Sequence, residues 1–462
     1  MPHRRRTSST TVTAGRTVAA LLCAAGLFAA TACTGPEPAP TPPPAGAATG
    51  TAEPSAPSVR VRVTVATGLA TAPFDRPRDL YLPAGWSASV YARLDTPRFM
   101  AFTPSGDLLV SQPGRGSVQL VRRGPDGSAT TTPFIGGLNR PHDIVLAELD
   151  GQTWVYLAEA DRVVRYPYQA RDLTARPGQV VVDGLPDTST PELRGRYAHV
   201  LKNIAIRDGR LYLSIASTCN ACAEDTRSDP QRAAIYTYDA AGHNADRRLF
   251  ARGLRNAEGL AFVPGTDQLW VVVNNRDNLR VPDNRDVDGD GLGDLGQRIT
   301  RYIDDHPPEL FTRVREGAFY GWPFCNANPD HGLRDMPYDR DWELNRDGQA
   351  ADCAAATPVD VGIQAHSAPL GLTFTQGTTA PDLGAVIALH GSWNRSRPTG
   401  YKVVYFPWRG GTPGAQTDLA TGWLDSSGEV WGRPVDIAID ADGSLLVSDD
   451  RAGALIRLTP PR

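Results

Sequence analysis

The feature that most constrains the fold is a short strand-turn-strand pattern that occurs six times along the chain. Each copy has an apolar run with alternating polar residues, a turn containing Gly or Asp, and a second apolar run. Alternation with a period of two is typical of β-strands, and two such runs across a tight turn predict a β-hairpin. The six copies lie at residues 99–111, 143–158, 203–215, 259–273, 371–389 and 436–450.

Repetition of one hairpin indicates the architecture. Six hairpins along the chain, with little helical periodicity, predict an all-β six-bladed β-propeller of four-stranded antiparallel blades. A pair of β-sandwich domains is the alternative, but no linker between the repeats divides the chain. We expect one propeller domain over residues 58–462, with an acidic insertion at about residues 278–305.

The first 57 residues have a different character. A basic head is followed by an apolar run and by small residues before Cys33, which is typical of an export signal and resembles a bacterial lipobox. This predicts a lipoprotein-type signal peptide at residues 1–32, a lipid on Cys33 and a Pro-rich tether at residues 33–57. The expected location is extracytoplasmic, anchored to the membrane, and the alternative is cleavage and secretion. No other stretch is apolar for long enough to cross a bilayer.

Charge and cysteine content narrow the choice of partners. The chain has 47 basic and 51 acidic residues, and several of its arginines lie in the export signal, so nucleic acid is not an expected partner. Outside the cytoplasm, an even number of cysteines favours disulfides over zinc. Cys219–Cys222 and Cys325–Cys353 is the simplest pairing, although spacing alone does not exclude another.

Basic residues precede the first strand of every hairpin. In a propeller these strands begin on one face beside the central axis, so the preceding residues converge. Chance could place one or two cations at the solvent-exposed end of the axis, but a cation in every blade is harder to explain by chance. A ring of cations suits a polyanion, and arginine suits carboxylates in particular. The ring residues are Arg98, His142, His199, Lys202, Arg255, Asn256, His366 and Arg433.

Residues 388–406 interrupt the fifth repeat with polar side chains. We expect Asn394 and Arg395 to face the centre of the ring and Trp393 to pack beside it. The alternative is a structural loop with Trp393 in the core.

Six segments together resemble the glucose/sorbosone dehydrogenase family. They are "YAHVLKNIAIRDGRLYLSIASTCNAC", "GLRNAEGLAFVPGTDQLWVVVNNRD", "EGAFYGWPFC", "HSAPLGLTF", "HGSWNRSRPTGYKVV" and "GRPVDIAIDADGSLLVSDDRAG". The resemblance runs from about residue 80 to residue 460, and "GSWNRS" is similar to the L-sorbosone dehydrogenase branch. It implies a six-bladed propeller that uses pyrroloquinoline quinone (PQQ) and Ca²⁺.

The resemblance also implies a reaction. An aldose or a sugar aldehyde such as sorbosone would be oxidised, with a respiratory quinone or cytochrome as the final electron acceptor. His199 would take the proton of the substrate hydroxyl while hydride passes to the quinone, and Arg255 would stabilise the growing negative charge. Two positions depart from the family, because Ala257 replaces a frequent Pro and Ala198 replaces an Asp.

Cofactor ligands are implied as well. PQQ carries three carboxylates, and the residues assigned to it here are Asn256, Arg433, Arg395, Lys202, His142 and Asn394. The main-chain carbonyls of Asn275 and Arg276 would bind the catalytic Ca²⁺, a Lewis acid.

A second Ca²⁺ site is predicted by the acidic segment at residues 286–297. Asp286, Asp288, Asp290 and Asp294 stand at positions one, three, five and nine of a calcium loop, but Gln297 replaces the usual Glu at position twelve. The alternative is a solvated acidic loop. Its GxGxxG spacing does not indicate NAD, because no buried strand precedes it.

Two other functions remain open. A Ca²⁺-dependent lactonase would require carboxylates at an axial metal, whereas the axial positions here are mainly cationic. A non-catalytic, lipid-anchored sugar-binding propeller would need neither His199 nor Arg255.

Overall fold

Six four-stranded antiparallel sheets form the blades of a β-propeller in the computed structural model, which describes residues 58–461. The predicted fold class is confirmed, and every predicted hairpin supplies the first two strands of one blade. The predicted signal peptide, Cys33 and the tether lie outside the described residues.

The first three blades follow one another along the chain. Blade 1 consists of Met100–Phe102, Leu108–Gln112, Ser117–Arg123 and Ala129–Gly136. Blade 2 consists of Ile144–Leu149, Gln152–Ala158, Val163–Pro167 and Gln179–Val182. Blade 3 consists of Asn203–Arg207, Arg210–Ile215, Ala234–Asp239 and Arg248–Arg252, with Ala318–Phe319 added in parallel at its outer edge.

The last three blades complete the ring. Blade 4 consists of Asn256–Phe262, Leu269–Asn274, Glu309–Arg313 and Val361–Ile363. Blade 5 consists of Pro369–Phe374, Ala385–Leu389, Lys402–Phe406 and Thr417–Ala420. Blade 6 consists of Pro434–Ile439, Leu445–Asp449 and Ala454–Thr459, and its outer strand is Ser87–Arg93 from the start of the domain.

Smaller elements decorate the propeller. The paired short strands are Ser58–Arg62 with Asp79–Pro83, Cys325–Ala327 with Tyr338–Arg340, and Trp408–Arg409 with Thr412–Pro413. The helical segments are the α-helix Thr300–Asp305 and the 3₁₀ turns Thr67–Leu69, Pro113–Arg115, Pro191–Leu193, Ala223–Arg227 and Cys353–Ala355. Within residues 58–461, no helix has the length and apolar content that a membrane crossing requires.

The core lies between neighbouring blades. The strands Leu108–Gln112 and Ala385–Leu389 are buried at every position, as expected for the middle of a blade that is covered on both faces. Each fully buried Val, Leu or Ile side chain contributes about 1.5–3 kcal/mol. Ser87–Arg93 pairs antiparallel with Ala454–Thr459, so hydrogen bonds between the two ends of the domain close the ring.

Both predicted disulfides are present. Cys219 is bonded to Cys222 in blade 3, and Cys325 is bonded to Cys353 in the segment that precedes the last strand of blade 4. The pairing that the spacing left open is therefore the simplest one.

The topology places the functional loops on one face. Because adjacent strands are antiparallel, the loops before the first strands and those between the second and third strands lie on the same face of the propeller. Several long connections fall in this class: residues 183–202, 216–233, 275–308 and 390–401. The predicted acidic insertion lies within residues 275–308.

Candidate active site

A cavity of about 830 Å³ opens on this face. Its lining comes from blades 1 to 5, so it lies on the propeller axis, and it includes residues before the first strands as well as loop residues 113–116 and His390. A volume of this size is in the range that holds a small ligand.

His199 lines the cavity just before blade 3. Its Nδ1 lies 2.9 Å from the carbonyl oxygen of Ser217 and 3.0 Å from the Ser217 hydroxyl. A carbonyl oxygen only accepts hydrogen bonds, so the neutral ring carries its proton on Nδ1 and keeps its lone pair on Nε2. Burial and the nearby Arg255 guanidinium lower the pKa of His199 to about 4. The ring is therefore neutral at pH 7 and can accept a proton.

Arg255, the second predicted catalytic residue, is buried beside this histidine. Its Nη2 donates to Asp277 Oδ2 at 3.0 Å and to Asn220 Oδ1 at 3.1 Å, and its Nε donates to the Asn220 carbonyl at 3.2 Å. The guanidinium is held by these partners and lies outside the cavity lining. Its positive charge is one of the causes that lower the pKa of His199.

The ring of cations is present, but the sequence did not reveal its carboxylate partners. Asp277 and Asp450 come from loops after second strands, and Glu258 lies on the first strand of blade 4. The ion pairs are Arg98–Asp450 at 2.8 Å, His390–Asp450 at 2.9 Å, Arg255–Asp277 at 3.0 Å, His142–Glu258 at 3.2 Å and His366–Asp277 at 3.4 Å.

Glu258 and Asn256 line one wall of the cavity, and His142 supports them from behind. His142 is fully buried, with its Nε2 facing the Glu258 carboxylate. Asn256 Nδ2 donates to the other oxygen of Glu258 at 3.1 Å. Asn256 thus occupies the predicted position, whereas His142 lies outside the cavity lining and contacts Glu258 instead. Glu258 lies in the "RNAEG" segment, two residues after Asn256. Its position at the start of a first strand could have identified it as a site residue.

Two predicted cofactor ligands, Lys202 and Arg433, bind the main chain and lie outside the cavity lining. Lys202 Nζ is fully buried and donates to the carbonyls of Pro186 and Val200 at 3.1 and 2.6 Å, and burial lowers its pKa to about 7. Arg433 Nε donates to the His390 carbonyl at 2.9 Å. These placements do not support direct contact with a ligand in the cavity.

The loop at residues 390–401 departs from its expected arrangement. Arg395 is turned toward the helix Thr300–Asp305 and donates to the main chain there. Trp393 does not pack beside the ring, because 71% of its surface is exposed. The amide of Asn394 is buried and has no hydrogen-bond partner among the described residues.

The predicted carbonyl ligands of the catalytic Ca²⁺ lie beside the cavity. Asn274, one residue before Asn275, is part of the lining. Asn275 Nδ2 donates to the Pro308 carbonyl at 3.0 Å, and the buried Arg276 guanidinium pairs with Asp341. The side chains of Asn275 and Arg276 are therefore engaged within the protein, and neither residue belongs to the cavity lining.

Two arginines that the sequence analysis left out belong to the lining. Arg115 and Arg140 join Arg98 on one side of the cavity, and Glu258 is the acidic residue in the lining. Arg115 pairs with Asp95, whereas Arg140 forms no ion pair with another described residue. The Nε of Arg98 is buried without a partner in the described part of the chain. Positive charge thus exceeds negative charge in the lining, which fits a polyanion.

Position alone could have identified Arg140, which stands two residues before His142 in the loop that opens blade 2. Arg115 lies between the second and third strands of blade 1, and only the antiparallel topology shows that this loop reaches the same face.

The acidic loop gathers three of its four predicted ligands. Carboxylate oxygens of Asp286, Asp288 and Asp294 lie within 4.8 Å of one another. Asp290 is not in this group, and its carboxylate accepts from the main-chain N–H of Leu292 at 2.7 Å. The cluster is separate from the cavity lining.

Known proteins resemble this chain in sequence and in fold. The chain is 24% identical over 403 residues to the pyrroloquinoline quinone-dependent pyranose dehydrogenase of Coprinopsis cinerea, covering 79% of this chain and 52% of that protein. The holo form of the PQQ domain of the Coprinopsis cinerea pyranose dehydrogenase superposes with a TM-score of 0.68 at 23% identity, over 83% of this chain and 97% of that one.

A second solved structure is similar. The calcium structure of a Trichoderma reesei protein of Carbohydrate-Active Enzymes Family AA12 gives a TM-score of 0.67 at 21% identity, over 82% of this chain and 96% of that one. At these identities the likeness shows the shared fold.

The resemblance inferred from the sequence is confirmed at the level of the relatives, which are PQQ-dependent sugar dehydrogenases. The chain spans about half the length of the curated relatives it matches. A family model described as TrAA12-like matches residues 80–460, which is nearly the whole propeller, and the chain therefore belongs to the TrAA12-like family.

Proposed function

We propose that the protein is a PQQ- and Ca²⁺-dependent dehydrogenase that oxidises an aldose or a sugar aldehyde. The observation that carries the proposal is one cavity whose lining combines a neutral histidine with an excess of arginines. The pyranose dehydrogenase of Coprinopsis cinerea, a relative by sequence, supports the same reaction class. Anchoring through Cys33 and a respiratory quinone or cytochrome as electron acceptor are part of the proposal.

The lining fits PQQ by charge. A tricarboxylate requires several cationic donors, and Arg98 and Arg140 have donors that no other described group occupies. Asn256 adds an amide on the opposite wall. When bound, PQQ supplies a two-electron oxidant and Ca²⁺ supplies a Lewis acid.

The role of His199 follows from its tautomer. The Ser217 carbonyl fixes the proton on Nδ1, so Nε2 is the atom that takes the proton of a sugar hydroxyl. Arg255 keeps the imidazole neutral before the proton is transferred, because its positive charge opposes a second one on the ring. Asp277 in turn holds Arg255 in place.

Reconstitution tests the proposal. The purified protein, freed of cofactor and metal, would be mixed with PQQ and Ca²⁺ and assayed by dye reduction with a panel of aldoses and sorbosone. Sugar-dependent reduction that requires both additions is the expected result. Tight sugar binding without PQQ binding would instead indicate a sugar-binding propeller, and lactone hydrolysis with Ca²⁺ alone would indicate a lactonase.

The pH dependence of turnover provides a separate prediction. Since the pKa of His199 is lowered to about 4, Nε2 is free throughout the neutral range and gains a proton only as the pH falls through that value. At saturating PQQ, kcat/KM is expected to stay level from about pH 7 to pH 5 and to halve near pH 4. The measurement is a pH profile in buffers of constant ionic strength. A midpoint near the ordinary histidine value of about 6.5 would contradict the assignment.

We also propose that Asp286, Asp288 and Asp294 bind a structural Ca²⁺. Ca²⁺ at 100 times its dissociation constant should stabilise the folded chain by about 2.7 kcal/mol, and the Asp288→Ala variant should lose this gain. Thermal unfolding of the PQQ-free protein with and without Ca²⁺ measures it. Asp290→Ala is the matched control, because Asp290 is outside the cluster and the Ca²⁺-dependent shift should persist. Equal shifts in wild type and Asp288→Ala would exclude the site.

A further inference from the structure

A short disulfide loop lies next to the candidate catalytic pair and has no part in the function proposed above. Cys219 and Cys222 are bonded across a sequence separation of three, in the connection between the second and third strands of blade 3. A cross-link over so few residues removes little entropy from the unfolded chain, and less than Cys325–Cys353 with its separation of 28. The Cys219–Cys222 disulfide is therefore expected to fix the local geometry of its loop more than to raise the stability of the whole domain.

The segment before the disulfide holds His199. Besides its two contacts to the imidazole Nδ1, Ser217 donates from its hydroxyl to the Cys219 carbonyl at 2.9 Å. The main-chain N–H of Ser217 donates to the Arg255 carbonyl at 2.7 Å. The orientation of the histidine ring is thus linked to the first cysteine of the loop.

The residue inside the disulfide loop holds Arg255. The Asn220 carbonyl accepts from Arg255 Nε at 3.2 Å and from Trp322 Nε1 at 3.1 Å. Asn220 Oδ1 accepts from Arg255 Nη2 at 3.1 Å and from the Asp277 N–H at 2.8 Å, and its Nδ2 donates to the Asp277 carbonyl at 2.8 Å. Both ends of one amide therefore join the arginine to the aspartate that pairs with it.

We propose that Asn220 is a positioning residue and that the Cys219–Cys222 disulfide keeps it in place, so that one loop fixes His199 and Arg255 relative to each other. This inference rests on the proposed function for the meaning of the pair, but not for the contacts themselves. Trp322 donates to the same Asn220 carbonyl as Arg255 does, so protein groups alone hold the loop.

The position of Arg255 affects the pKa of His199. The charged groups facing His199 are Arg255, Glu258 and Asp277, and among them the guanidinium disfavours a proton on the ring while the two carboxylates favour it. If Asn220 is lost, Arg255 can move away, and the pKa of His199 should rise toward its ordinary value. A change that only loosened the fold would leave this titration where it is.

The test compares Asn220→Ala and Cys219→Ala/Cys222→Ala with Cys325→Ala/Cys353→Ala, a matched removal of the other disulfide. Asn220→Ala is expected to lower kcat by about 10- to 100-fold, the order expected for a displacement of about 1 Å, with KM for sugar within a few-fold. The acid limb of the pH profile should move upward, and the Cys219/Cys222 variant should do the same to a smaller extent. The control should lower the melting temperature without moving the acid limb.

A second measurement does not depend on activity. NMR titration of the His199 imidazole in the PQQ-free protein should show a higher midpoint in both loop variants than in wild type and in the control. If the wild-type protein fails to turn over sugar but this shift is observed, the proposed function fails and the positioning role stands. An unchanged midpoint and unchanged kcat in Asn220→Ala, or the same shift in the control, would overturn the inference. If Asn220→Ala does not fold, the same two measurements on Cys219→Ala/Cys222→Ala test the inference.

Discussion

Replacement of His199 by alanine is expected to lower kcat about 10²- to 10⁴-fold, the range that one general base contributes. The imidazole is the group in the cavity whose lone pair is fixed in position and whose neutral form dominates at pH 7. PQQ affinity should change by only a few-fold, because the excess of arginines lies on another part of the lining. Dye reduction at saturating sugar measures kcat, and quenching of protein fluorescence measures PQQ binding.

His243→Ala is the control for this experiment. His243 lies between the third and fourth strands of blade 3, outside the cavity lining, and pairs with Asp183 at the surface. It should therefore leave kcat unchanged. If His199→Ala kept more than about a tenth of the wild-type kcat, the proton would have to be taken by another group, because a general base is worth at least about 100-fold.

The fold could be predicted because its signal is local and repeated. Alternation with a period of two in six hairpins defines the inner half of every blade, and closure of the ring then brings the first strands together. The outer strand Ser87–Arg93 was not predicted, since it pairs with Ala454–Thr459 across almost the full length of the domain. No local pattern reveals a pairing of that kind.

The site could be predicted only in part, and for a physical reason. Residues before first strands converge by topology, which places His199 and Asn256 at the cavity as expected. The direction of a long side chain depends on neighbouring groups, and the positions of those groups cannot be predicted from the sequence. Lys202, Arg395 and Arg433 accordingly bind main-chain carbonyls that irregular loops leave without partners.

The carboxylates that pair with the ring of cations could not be predicted from the sequence either. Asp277 and Asp450 come from loops after second strands, which return to the same face only because the sheets are antiparallel. A ring that looked cationic in the sequence is therefore largely paired. Arg140 is the lining arginine without an ion pair among the described residues, and Arg98, which pairs with Asp450, keeps only its Nε without a partner.

Removal of these arginines should weaken PQQ binding. A hydrogen bond to a charged group contributes about 1.5–3 kcal/mol, so Arg140→Ala should raise the Kd for PQQ by about 10- to 100-fold. Arg98→Ala should have at least as large an effect, because its guanidinium is mostly buried and its Nε has no partner among the described residues. Arg140→Lys should recover only part of the affinity, since an ammonium group does not bind a carboxylate in bidentate fashion.

Arg140 gives the cleaner result of the two. Arg98 also pairs with Asp450, so its removal leaves that carboxylate with His390 alone and alters the wall itself. Arg140 has no such partner in the described residues, and its effect should come from the ligand and should diminish as salt is added. Arg248→Ala, at the exposed start of the fourth strand of blade 3, removes the same charge outside the cavity lining and should leave the Kd unchanged. If Arg98→Ala and Arg140→Ala bound PQQ as tightly as Arg248→Ala, the carboxylates could not lie on this wall.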